Sequence, residues 1–113
     1  MTKIKLNLNY NLNFPNGEKP ENIDKEYTEL SKGYIEYAVT ASHPKGLNGG
    51  ERRTYGRIQT LIEKSMEDKT YEILLEENDY IFLREAFENK ETKFNATLSR
   101  YVVLLEDEIF KVV

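Results

Sequence analysis

Residues 4–14 read Ile4-Lys5-Leu6-Asn7-Leu8-Asn9-Tyr10-Asn11-Leu12-Asn13-Phe14, with an apolar side chain at every even position and Lys or Asn at every odd one. Successive side chains of a strand point to opposite faces, so this alternation describes a half-buried strand with its even face on a core and its odd face in water. The charges at Lys3 and Lys5 discourage pairing with other chains. Pro15-Asn16-Gly17 stops the strand with turn chemistry, and residues 15–27 read as a polar loop.

Downstream the period changes. The segment from Gly33 to Thr40 has the aromatic and β-branched content of a strand, and as a strand it would give a three-stranded sheet. Tyr27, Leu30, Tyr34, Ala38 and Ala41 nevertheless fall at steps of three and four, with Thr28 placed as an N-cap, and we read a helix over 29–42. Residues 43–50 combine Pro44 with Gly46, Gly49 and Gly50 and form a loop. Tyr55, Ile58, Leu61, Ile62 and Met66 mark one face of a helix over 51–67, and Tyr71, Ile73 and Leu75 a second short strand. Asn78 or Asp79 can cap a third helix carrying Phe82, Leu83, Ala86 and Phe87. Asn95 can cap a fourth carrying Leu98, Tyr101, Val102, Leu105 and Ile109. The expectation is an α+β domain spanning 1–113, a two-stranded sheet packed by four helices in the order β-α-α-β-α-α.

A chain of 113 residues has the size of one domain with its own core. Cys is absent, which removes disulfides and thiolate chemistry and fits a reducing compartment. The N-terminal alternation is unlike a signal peptide, and no apolar run is long enough to span a bilayer, so we expect a cytoplasmic protein with no membrane partner. The net charge of −4 argues against general affinity for nucleic acid. Charge is also uneven: residues 1–62 hold nine Lys/Arg and seven Asp/Glu, residues 63–113 seven and thirteen.

Chemistry-bearing motifs are few. His43 is the single histidine, cannot assemble a zinc set without Cys, and reads as an exposed loop residue. A Ser-His-Asp arrangement could draw on Ser31, Ser42, Ser65 or Ser99, but no strained nucleophile elbow surrounds any of them. Residues 46–50 before a helix are reminiscent of phosphate-binding loops, yet Glu51 stands where an anion would bind. The simpler reading is a connector whose helix is capped by Asn48 and Glu51. We expect no catalytic set, no metal and no cofactor.

The best candidate contact residues are Lys45, Arg52, Arg53, Tyr55 and Arg57, since Arg53 and Arg57 share a helix face and can present two guanidinium groups. Their bland alternative is a solvated face with internal pairs, such as Glu51 with a neighbouring Arg. Glu106, Asp107 and Glu108 are the second candidate surface, for a basic partner. Glu76, Glu77 and Asp79 need no partner, because carboxylates favour a helix N-terminus. Eight Tyr tilt the composition slightly toward protein contact.

The run Gly50-Glu51-Arg52-Arg53 with Tyr55, Arg57 and Ile58, followed by Ile73-Leu74-Leu75-Glu76, Phe82-Leu83 and Ala86-Phe87, resembles a group of short uncharacterised accessory proteins of bacteriophages and prophages. The resemblance covers about three-quarters of the chain and is one of pattern. It implies origin and a habit of binding a host or viral protein, as inhibitor or assembly factor in the host cytoplasm, and carries no catalytic motif. Two alternatives stand beside it: a nucleotide- or nucleic-acid-binding module using residues 45–57, and a self-associating structural component of a virion.

Overall fold

The structure is a computed structural model that describes residues 3–8, 23–96 and 99–111. Six elements follow one another: β1 (Ile4–Asn7), α1 (Ile23–Ser42), α2 (Gly49–Glu67), β2 (Glu72–Leu75), α3 (Glu77–Glu88) and α4 (Ser99–Phe110). The class is α+β and the order is the expected one. Residues 34–40 lie inside α1, so the sheet has two strands among the described residues.

β1 and β2 pair antiparallel with Ile4 opposite Leu75, Lys5 opposite Leu74, Leu6 opposite Ile73 and Asn7 opposite Glu72. The alternation in the sequence appears as expected over the part that is described. Leu6, Leu8, Ile73 and Leu75 are buried, whereas Lys5, Glu72 and Leu74 face outward. Residues 9–14 of the expected strand, and the 15–22 part of the expected loop, lie outside the described residues.

The helices supply the rest of the core, because a hairpin this short cannot bury enough area alone. Ile35, Ala38 and Val39 of α1, Ile58 and Ile62 of α2, Leu83 and Ala86 of α3, and Val102, Leu105 and Ile109 of α4 close on the inner face of the hairpin. Ser31 is buried as well and donates its hydroxyl to the Leu8 carbonyl at 3.3 Å, tying α1 to the end of β1.

Several boundaries differ from the sequence reading. α1 begins at Ile23, so residues 23–27 are helical instead of loop and Thr28 stands inside the helix, not at its N-cap position. Its buried stripe runs through Ser31, Tyr34, Ile35, Ala38 and Val39, a rotation away from Leu30 and Ala41, which are half-buried. In α3 the N-cap position is Glu76, and Asn78 and Asp79 sit in the first turn. α4 starts four residues beyond Asn95. The α2–β2 turn contains no glycine, yet Lys69 and Tyr71 adopt left-handed φ of 59° and 55°. Hydrogen bonds from the Thr70 and Tyr71 amides to the Ser65 carbonyl hold that turn.

Candidate contact surfaces

The basic segment begins where α2 begins. Asn48 caps the helix as its sequence suggests: its side chain accepts from the Glu51 amide at 2.9 Å, and Glu51 Oε1 accepts from the Asn48 amide at 2.9 Å, a reciprocal capping box. The other Glu51 oxygen does not reach an arginine, contrary to the internal pair expected. It lies 3.0 Å from His43 Nε2, an ion pair when the ring carries its second proton.

His43 is correspondingly held in place, not exposed and mobile as its loop position suggested. Its ring stacks on Phe82 with centroids 5.5 Å apart, and Nδ1 lies 2.8 Å from the Val39 carbonyl and 2.9 Å from Ser42 Oγ. A carbonyl oxygen can only accept, so the Val39 contact needs a proton on Nδ1, whereas the Ser42 hydroxyl can also donate to the Val39 carbonyl, 3.1 Å away. Ser42, His43 and Glu51 together join the end of α1 to the start of α2.

The expected arginine face divides. Arg57 turns away from Arg53 and grips Asp79 with both arms of its guanidinium, Nε to Oδ2 at 3.0 Å and Nη2 to Oδ1 at 2.7 Å. Asp79 is buried, in the first turn of α3, where the helix dipole adds to the attraction. The hydrogen bonds to Asp79 hold the Arg57 guanidinium above even its ordinary pKa, with desolvation opposing. Arg57 thus couples α2 to α3 and is not free to join Arg53. Arg52 and Arg53 bend back onto the carbonyls of Leu47 and Gly49 at 2.5 and 3.4 Å. Among the described residues no carboxylate lies within ion-pair distance of Lys45, Arg52 or Arg53. Tyr55 is half-buried, and burial and the charge of Glu36 push its phenol up to about 12, against a hydrogen bond with Gln59. It packs against the hydrophobic core.

The acidic run at the end of α4 is three environments, not one surface. Asp107 is exposed. Burial, and then the charge of Asp107, raises the carboxyl of Glu106 above its usual range. Glu108 points inward, accepting from the Asn7 amide of β1 at 2.8 Å and from Lys111.

A surface that the motif search missed lies across the outer side of β2. Leu74 keeps 52% of its area exposed between Glu72 and Glu76, which pair with Lys5 at 3.2 Å and Lys3 at 3.7 Å. Beside it runs an open groove of about 580 Å³ with Gly56, Thr60 and Leu61 of α2 as one wall and Leu74 in the other. Lys3, Glu76, Arg57 and Asp79 form its rim. The one sequence signal for it was Leu74 itself, an apolar residue on the outward phase of its strand.

Among the described residues no cluster of His, Cys, Asp or Glu could hold a metal ion, and no helix is long and apolar enough to cross a membrane. No family model matches the chain, and no curated protein or solved structure is significantly similar to it.

Proposed function

We propose that this chain acts by stoichiometric contact with a protein partner and performs no catalysis, as phage-type accessory proteins do when they inhibit a host system or assist assembly. The observation that carries this reading is the half-exposed Leu74 in the wall of the α2–β2 groove. An apolar centre inside a ring of charges of both signs is the anatomy of a specific protein contact, in which the centre supplies affinity and the rim supplies orientation. Introducing a charge at the centre tests it. Leu74→Asp should abolish retention of the partner captured from host lysate while leaving the circular dichroism spectrum unchanged, because the side chain points away from the core. Equal retention by both proteins would refute the groove as the contact.

A second reading rests on Lys45, Arg52 and Arg53, three cations around the start of α2 that have no carboxylate partner among the described residues. If they engage phosphate, affinity for a single-stranded oligonucleotide should fall steeply with salt and disappear in Arg52→Ala/Arg53→Ala. Absence of binding at low salt removes this reading.

A further inference from the structure

Hydrogen-bond parity shows which backbone groups of the hairpin face outward. In an antiparallel pair, opposed residues alternate between those that exchange hydrogen bonds and those whose N–H and C=O point outward. The Leu8 amide donates to the Tyr71 carbonyl at 2.9 Å, which makes Leu8/Tyr71 a bonded pair. Leu6/Ile73 and Ile4/Leu75 are then bonded as well, and Lys5/Leu74 and Asn7/Glu72 are the outward-facing pairs. Asn7 confirms the phase independently, since its amide points away from β2, to Glu108.

On the β2 side the outward groups are those of Glu72 and Leu74. β2 has β1 as its single strand neighbour, and no bond to these backbone groups exists among the described residues. They open beside the groove whose far wall is Gly56, Thr60 and Leu61. A Cβ built at Gly56 meets nothing within 4 Å, so that wall is bare.

We infer that the free edge of β2 takes an extended peptide segment of a partner protein as a third strand, with Leu74 as the central pairing residue. Main-chain bonds to both groups of Leu74 and of Glu72 would hold it, and alternate side chains would select it. Selection follows from the outer row Glu72, Leu74, Glu76. A strand paired antiparallel there sets one residue opposite Leu74 and the residues two before and two after it opposite the glutamates. The matching pattern is basic, any, apolar, any, basic. A second copy of this chain is disfavoured as occupant, because β2 against β2 about Leu74 opposes Glu72 to Glu76 twice over. The inference deepens the protein-contact reading and rests on it.

The test uses a capped synthetic peptide containing Lys-Thr-Val-Thr-Lys and its counterpart with Glu for both Lys, titrated into the full chain and followed by amide shifts. The Lys peptide should bind with Kd below about 1 mM, move the Glu72 and Leu74 amides, and slow the exchange of Leu74. The Glu peptide should bind at least about tenfold more weakly, the cost of opposing like charges. Leu74→Pro removes one outward N–H without touching the ladder to β1 and should abolish binding. Should Leu74→Pro not fold, Gly56→Trp fills the groove from a position with open space and should have the same effect. Shifts centred on α2's first turn, binding indifferent to both variants, no binding to the wild-type chain, or self-association through β2 would each overturn the inference. A lysate partner held equally by wild type and Leu74→Pro would sink the edge strand and leave protein contact standing. Peptide binding at the edge with no partner retained from lysate would do the reverse.

Discussion

The outer edge of β1 and the outer edge of β2 are built from the same backbone and differ at one position. On β1, a carboxylate delivered by α4 from 101 positions away satisfies the Asn7 amide, while the outward groups of Lys5 have no bond among the described residues. On β2, neither Glu72 nor Leu74 has a bond to its outward groups among the described residues, and Leu74 lines an open groove. Edge strands are places where foreign strands add, and folded chains ordinarily block them. The bond at Asn7, and the half-exposed leucine beside an open groove on β2, are what support β2 as the proposed contact surface.

The largest expected effect removes what both edges share. Leu6 is fully buried opposite Ile73, and Leu6→Ala should cost about 2–5 kcal/mol in denaturant unfolding, through lost burial plus a cavity. Removing the bond at Asn7 should cost less. Glu108→Ala strands the Asn7 amide and should lower stability by about 1–2 kcal/mol, with faster exchange at Asn7 and none of this change at Leu74. On the groove wall the sign reverses: Gly56→Ala should raise stability by about 0.5–1 kcal/mol, since alanine favours helix and the position has room. The smallest change belongs to the open edge itself, where Leu74→Thr should alter stability by less than about 0.5 kcal/mol. A large loss there would mean that Leu74 serves the fold and not a contact.

The same contrast separates what the sequence could reveal from what it could not. Even-position apolar residues disclosed which face of β1 is buried, and Asn48 with Glu51 disclosed the start of α2, because both signals act within a few residues. The bond from the Asn7 amide to Glu108 and the grip of Arg57 on Asp79 depend on where helices land, and no local pattern encodes that. The arginine stripe misled for this reason: Arg53 and Arg57 share a helix face, but a buried carboxylate 22 residues on outcompetes solvent for Arg57. The α2–β2 turn was hidden because Lys69 and Tyr71 hold left-handed backbone without a glycine to announce it. Leu74 was visible as a residue on the wrong phase of its strand, and only the register with Lys5 made that oddity a candidate contact.

Amide hydrogen exchange on the free protein, resolved at Asn7 and Leu74, tests the inequality of the edges most directly. Asn7, bonded to Glu108, should exchange about tenfold or more slowly than Leu74, whose amide faces the groove, while Ile73 and Leu75 exchange slowly with the ladder. Equal rates at the two positions, or a protected Leu74 in the absence of any ligand, would contradict an open β2 edge.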